Sequence, residues 1–287
     1  MSAKEHTLSS TAFLTAMARA RREDISSDFL AHAWLPPEMT SEFNAFYQRY
    51  SQGVCEVEDT GLALRNRYFL GKLREFQTTN PYGVFINFAA GLSSYPFLLE
   101  RSMESYEIDR AEIIEFKASR IKQLAERFTP LTRSVKFLEA DLSDPRACTS
   151  TFETLTSGVR GRPTFVLLEG ISYYLSPDRW QTCLQKIANL QERGSVLAFD
   201  FWPPSAREHQ VFERLRRFYQ VEFDWQPADF HLIDPDSLTA LDGYSGARIT
   251  NALAEEAAFF GKPLPQEYDA TFLEHYAIFR REMSDYD

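Results

Sequence analysis

The sequence predicts a Rossmann-like α/β fold: a mostly parallel seven-stranded sheet with helices on both faces and an N-terminal helical cap. Three observations predict it. Before residue 80, apolar residues recur at helical spacing among polar ones. After residue 80, short apolar runs alternate with amphipathic stretches, the pattern of a parallel sheet wrapped by helices. Two more apolar stretches near the end supply the last two strands, one of them antiparallel. The chain thus divides into a cap, residues 1–80, and a core, residues 81–287.

In the cap, residues 11–22, 40–50 and 60–77 are expected to be helical, with Leu64, Tyr68 and Leu73 at helical spacing in the third. Pro36 and Pro37 separate the first two, because proline ends helices and restricts the residue before it. The core opens with a near-continuous apolar strand over 83–90 (GVFINFAA), ending at Gly91. Residues 103–109 (MESYEID) form a second strand that ends in acid. Ile114, Ala118, Ile121 and Ala125 then line one face of a helix over 111–127. Residues 135–142 (VKFLEADL) and 163–172 (PTFVLLEGIS) are the third and fourth strands.

The next helix is the best marked. Ser176 is a natural N-cap, Pro177 suits the first helical position, and Gly194 is the expected stop. Trp180, Leu184 and Ile187 give it a buried stripe. Residues 195–202 (SVLAFDFW) make a fifth strand, apolar enough to be buried on both faces. The tail contributes residues 246–251 and 272–281.

Composition narrows the function classes. With 287 residues, 44% hydrophobic and 25% charged, the chain is an ordinary globular mixture rather than a disordered one. Its 24 Phe and 13 Tyr suit a packed core and an apolar cavity. A net charge of -10 repels phosphate backbones and anionic lipid, so neither nucleic acid nor membrane is an expected partner; a small molecule is. No apolar run approaches the roughly 20 residues that span a bilayer. The first ten residues are polar and lack the apolar core of a secretory signal. Cys55, Cys148 and Cys183 form no C-x-x-C pair, so neither a disulfide framework nor a metal site is suggested, and a cytoplasmic setting is expected.

In open α/β sheets, ligands bind beyond the carboxyl ends of the strands, near the point where strand order reverses. Small residues, Ala89, Ala90 and Gly91, follow the first strand and admit a close-lying ligand. The turn lacks the G-x-G-x-x-G glycines that accommodate a pyrophosphate, and by itself it reads equally as a plain strand-to-helix turn. Asp109 ends the second strand, where a carboxylate can accept both hydroxyls of a ribose. Asp141 and Leu142 end the third, where an acid can accept the adenine amino group; a solvated turn before Pro145 is the alternative. Glu169 follows the apolar stretch 164–168, and a carboxylate there needs a partner. A cationic ligand would serve, and so would an internal Arg or Lys.

Taken in order, TAFLTAMARA, LRNRYF, INFAAGLSSYPFLL, YEID, FLEADL, LLEGISYYL and LAFDFW resemble the leucine carboxyl methyltransferase family, including its bacterial secondary-metabolism branch. The resemblance runs from about residue 11 to 202. It implies S-adenosylmethionine (SAM) as cofactor and O-methylation of a carboxyl or hydroxyl group of a small metabolite. Arg67 resembles the arginine that pairs with the carboxylate of SAM, and Gly91 the glycine of the first loop. Asp109 resembles the ribose-binding acid, Asp141 and Leu142 the adenine-contacting pair, and Glu169 the acid near the methionine amino group. Tyr174 resembles the aromatic just beyond it, and Arg19 corresponds loosely to a basic residue of the cap. The first loop departs from the family's Gly-Ala-Gly-Leu-Asp-Thr-Arg: Ala89 stands for the first glycine, and Ser93, Ser94 and Tyr95 for the last three residues.

Methyl transfer from a sulfonium needs proximity and alignment more than covalent help, so the lack of an obvious catalytic dyad is compatible with this reading. The acceptor pocket is expected among Tyr173, Tyr174 and Trp202, with Asp200 and Tyr244 as further candidates. His32, His209, His231 and His275 show no metal-ligand spacing; His209 and His231 lie in the half of the chain where a substrate-side base would sit. Two other readings stay open: a non-catalytic or altered-cofactor binding protein on the same fold, and an NAD(P)-dependent oxidoreductase.

Overall fold

A computed structural model describes residues 3–223, 230–238, 241, 243–261 and 274–281. Strands β1 (Val84–Phe88), β2 (Glu104–Asp109), β3 (Val135–Glu139), β4 (Thr164–Leu168), β5 (Val196–Phe201), β6 (Tyr244–Asn251) and β7 (His275–Arg281) form one sheet in the order β3-β2-β1-β4-β5-β7-β6. The first five are parallel, and β7 runs antiparallel to both β5 and β6. Val84 of β1 stands opposite Glu104 on one side and Thr164 on the other. Strand order therefore reverses between β1 and β4, and the carboxyl ends of β1, β2 and β4 open on one edge. This is the expected sheet.

The period of two in β1 sorts its side chains between two cores. Val84, Ile86 and Phe88 pack with Phe152, Leu155 and Val159 of α7 (Pro145–Val159) and with Trp180, Leu184 and Ile187 of α8 (Pro177–Leu190). Phe85 turns the other way, onto Phe69, Leu70, Leu73 and Phe76 of α4 (Glu58–Thr79). On that side Leu124 of α6 (Ala111–Leu124) and Ala252 of α10 (Ala252–Phe260) join the same cluster. β5 is buried throughout, as its apolar run predicts.

The cap is built from α1 (Ala3–Arg21), the short α2 (Glu23–Ser26), α3 (Thr40–Gly53) and the start of α4. Leu14 and Met17, Phe43 and Tyr50, and Leu62 share a third apolar cluster with Phe212, Leu215 and Phe218 of α9 (Gln210–Phe223). The one-turn α5 (Tyr95–Leu98) follows the loop after β1. None of the described helices is long and apolar enough to cross a membrane.

Ser176 caps α8 by accepting the Arg179 N–H, but the helix ends at Leu190 rather than near Gly194. Gln191 is drawn off the helix by its side chain, whose amide donates to Thr164 Oγ1 and Val196 O and so ties the loop to β4 and β5. Gly194, at φ +80°, makes the turn into β5. Of the expected tail strands, β6 begins at Tyr244; residues 272 and 273 lie outside the described part, and β7 begins at His275.

Candidate functional site

The carboxyl ends of the parallel strands border a cavity of about 200 Å³, closed on its other side by α1, α3, α4 and α9. Ala89 and Gly91 after β1, Asp109 at the end of β2, Asp141 and Leu142 after β3, and Glu169 after β4 all line it. Tyr173, Tyr174 and Trp202 line it too. Nine of the residues singled out from the sequence thus meet in one hollow.

The turn after β1 is tight. Both Ala89 (φ +51°) and Gly91 (φ +48°) take left-handed backbone conformations. For Gly91 this carries little penalty, but a Cβ in that region costs roughly 1–2 kcal/mol, so Ala89 holds strain where the resembling family carries glycine. Side chains fix the turn. Ser93 Oγ donates to Ala90 O at 2.8 Å and accepts from Asn87 Nδ2 at 3.0 Å; Ser94 Oγ accepts from Trp34 Nε1 at 2.8 Å. The serines that replace the family's charged loop residue and threonine are therefore internal fasteners.

Asp109 holds the same turn from the next strand. Its Oδ2 accepts the Gly91 N–H and its Oδ1 the Arg110 N–H, both at 2.7 Å. Burial raises its pKa, opposed by those two N–H groups. Each oxygen keeps a further lone pair. Asp141 is exposed, and its Oδ1 accepts from both N and Oγ of Ser143 at 2.8 and 2.6 Å. It forms an Asx turn, the solvated alternative at this strand end, while still bordering the cavity.

Glu169 finds an internal cation. Arg65 Nε donates to its Oε1 at 2.9 Å, and Tyr95 Oη donates to its Oε2 at 2.6 Å. Arg65 Nη1 also reaches Asp200 Oδ2 at 3.1 Å and Glu274 Oε1 at 2.9 Å. Burial pushes the carboxyl groups of Asp200 and Glu274 upward, against the pull of Arg65, and the two also bond to each other. Three carboxyl groups thus share one guanidinium next to the cavity, and burial favours a proton on the Asp200–Glu274 pair. Neither Arg65 nor Glu274 stood out in the sequence.

Arg67 corrects the sequence reading, because it is not brought to this cavity. Two residues along a helix is a rotation of about 200°, so Arg65 and Arg67 lie on opposite faces of α4. Arg67 is exposed, donates to Ile25 O at 3.2 Å and lies over the Phe259 ring at 4.9 Å. The sequence does hold a signal for the right choice: Arg65 extends the buried stripe of Phe69, Leu73 and Phe76, one helical turn earlier. Arg19 of α1 does line the cavity, with Nε on Asp28 Oδ2 at 3.0 Å and Nη2 on Leu92 O at 2.7 Å.

The far end of the cavity is aromatic. Tyr173 stacks on Trp202 with centroids 4.0 Å apart and planes 4° from parallel. Tyr174 Oη and Tyr219 Oη of α9 are 2.6 Å apart. Glu58 at the start of α4 lines this end with its Oε1 accepting from Tyr50 Oη at 2.8 Å, and burial pushes its carboxyl up to about 8. Asp200 lies beside this wall, accepting the Gly170 N–H at 2.6 Å, whereas Tyr244 donates to Gln191 away from the cavity. Neither histidine held as a possible base lines it. His209 Nδ1 accepts the Val211 N–H at the start of α9, and the backbone of His231 pairs with Tyr173 O.

Comparison with known proteins points one way. The leucine carboxyl methyltransferase family profile matches residues 9–188. A protein of Mycobacterium marinum, assigned as an S-adenosyl-L-methionine-dependent methyltransferase, is 28% identical over 265 residues, covering 85% of this chain and 79% of its own. A similarly assigned protein of Mycolicibacterium gilvum is 27% identical over 220 residues, covering 74% and 68%. Among solved structures, a DUF574 family protein from Streptomyces avermitilis superposes with a TM-score of 0.63 at 12% identity, covering 83% of this chain and 90% of its own. That last likeness is one of fold.

Proposed function

From the premise that the chain belongs to the leucine carboxyl methyltransferase family, we propose that it is a SAM-dependent O-methyltransferase acting on a carboxyl or hydroxyl group of a small molecule. Residues 1–80 are the cap over this site and residues 81–287 the core that holds the cofactor. A cytoplasmic setting and a role in secondary metabolism complete the reading, drawn from the resemblance and from cysteines that form no disulfide among the described residues.

The observation that carries it is the meeting of Asp109, Asp141 and Glu169, from three successive strands, on one cavity. Five acids line that cavity (Glu58, Asp109, Asp141, Glu169 and Glu274) against three arginines (Arg19, Arg65 and Arg110). Of the arginines, Arg19 is paired with Asp28, Arg65 with three carboxyl groups and Arg110 with Glu112. With its arginines already engaged, such a lining offers carboxyl acceptors to a cationic sulfonium and no unengaged cation to the pyrophosphate of NAD(P). The donor set therefore fits the family's cofactor.

Asp109 would accept the ribose hydroxyls through the lone pairs that Gly91 and Arg110 leave open, and Asp141 and Leu142 would border the adenine. Glu169 would accept the methionine ammonium while Arg65 and Tyr95 hold its carboxylate in place. Arg19 takes the place given to Arg67, facing the methionine carboxylate from the cap. When bound, the cofactor supplies an electrophilic methyl group. The chain's own contribution is alignment and exclusion of water by the stacked Tyr173 and Trp202, and holding an acceptor in line supplies up to roughly 7–11 kcal/mol of barrier reduction.

Equilibrium dialysis of the purified chain against methyl-labelled SAM tests the reading. The expected result is about one equivalent bound per chain, displaced by S-adenosylhomocysteine and not by NAD(P). Absence of bound label, or displacement by NAD(P) alone, would overturn it.

A further inference from the structure

The aromatic end of the cavity contains one group that neither cofactor binding nor packing explains. Glu58 is 8% exposed and lines the cavity. Its Oε1 accepts from Tyr50, while its Oε2 is buried with no hydrogen-bond partner among the described residues. A buried carboxyl oxygen without a partner is costly, and in the ionised form its complement is a donor from a bound molecule. Glu58, Leu62 and Arg65 recur at i, i+4 and i+7, so the face of α4 that meets the acid cluster also carries this carboxyl.

The walls around it describe the molecule. Leu62, Leu215, Tyr173, Tyr219 and Trp202 offer flat apolar surface. The cation that acts on Glu58 among the described residues is Arg65, which already serves Glu169, Asp200 and Glu274. The other charged or titratable groups that act on Glu58, namely Tyr47, Tyr50, Cys55, Asp59 and Tyr219, supply no positive charge. A carboxylate acceptor would therefore meet a second carboxyl and no unengaged arginine among the described residues. A hydroxyl would meet the missing acceptor.

On the reading of this cavity as a methyl-transfer site, we propose that the acceptor is a hydroxyl group on a small aromatic molecule and that Glu58 Oε2 receives its proton. The acceptor oxygen forms its bond to the methyl carbon with a lone pair as its O–H proton passes to Glu58 in its ionised form, which grows as pH rises through about 8. The carbon–sulfur bond breaks with its electron pair left on sulfur. The products are a methyl ether, a neutral thioether and protonated Glu58, which returns its proton to water after release. Burial keeps this carboxyl a stronger base than an exposed glutamate, closer to a phenol in proton affinity.

The test is calorimetric titration of the full chain, saturated with S-adenosylhomocysteine, with 2-naphthol and with 2-naphthoate at pH 9, above the value of about 8 at which Glu58 ionises. The two probes share a flat apolar body and differ in offering a hydroxyl or a carboxylate. The wild type is expected to bind naphthol at least about ten-fold more tightly, since like charges oppose the carboxylate. Glu58→Gln should bring the two within about three-fold by removing that repulsion. Tyr50→Phe, which keeps the carboxyl, should retain the preference and serves if the first variant does not fold. Equal or inverted preference in the wild type, or no binding of either probe to chain that has taken up S-adenosylhomocysteine, would overturn the inference alone. Failure to bind S-adenosylhomocysteine would overturn the methyltransferase reading beneath it.

Discussion

Arg65 and Glu169 lie 104 positions apart in the chain and meet at 2.9 Å beneath the candidate cofactor cavity. The same guanidinium serves Asp200 and Glu274, so one buried cation holds α4, β4, β5 and the start of β7 together. Such a pair contributes mainly by what its loss leaves behind.

Replacing Arg65 by Met should therefore destabilise the chain by about 3–5 kcal/mol, because the buried carboxyls lose the cation they share. Arg67→Met on the opposite face removes two long hydrogen bonds at the surface, to Ile25 O and Ser27 Oγ, and a ring contact, and should cost no more than about 1 kcal/mol. It should leave S-adenosylhomocysteine affinity within about two-fold, since that side chain lies off the cavity. Urea denaturation of the two variants, read by circular dichroism, compares them directly; equal losses would contradict the assignment of faces.

At Ala89 the expectation runs the other way. Glycine there should raise stability by about 0.5–1 kcal/mol, the left-handed strain relieved less the entropy glycine adds to the unfolded chain. Ala89→Val should lower it by more than about 1 kcal/mol, since a β-branched residue fits that backbone worst. The midpoints of urea unfolding decide it, and a destabilised glycine variant would mean that the Ala89 methyl is held by packing.

Stability should fall as pH rises from 5.5 to 8.5. In the folded chain Glu58 keeps its proton up to about pH 8, whereas an unfolded glutamate loses it near roughly 4.3. The stabilisation is full below the unfolded value and is lost as pH climbs through the folded one, at up to about 1.4 kcal/mol per pH unit. Asp200 and Glu274, also raised by burial, act in the same direction. Glu104, held down at about 2 by its bond to Arg162, acts oppositely but only at acid pH. Unfolding midpoints across this range should slope downward in the wild type and less so in Glu58→Gln. An upward slope in the wild type would contradict the buried, protonated state.

How much of this was legible follows from where each signal resides. Asp109 and Glu169 could be found because topology fixes the ends of parallel strands, and a strand's end is readable from its own residues. Arg65 was harder: LRNRYF offers two arginines, and choosing between them requires the buried face of α4 rather than its existence. Helix α9 carries Val211, Phe212, Leu215, Phe218 and Tyr219 at plain helical spacing and was open to the same periodicity test, as were α7 and α10.

Glu58 was not legible. An acid in the first turn of a helix looks like an ordinary complement to the helix dipole. Its burial depends on Tyr50 and on α9, more than 150 residues on, and no local pattern contains that contact. Glu274 has the same history: it is isolated before β7, and only the sheet brings it to Arg65.

The central claim is that one cavity, closed by the carboxylates at the strand ends, takes an adenosyl thioether. Calorimetric titration of S-adenosylhomocysteine into the wild type and into Asp109→Ala tests it most directly. The account predicts a single site in the wild type and an affinity at least about ten-fold weaker in the variant, the effect of losing hydrogen bonds to a charged group. Binding unchanged by the substitution, or no binding to folded wild type, would contradict it.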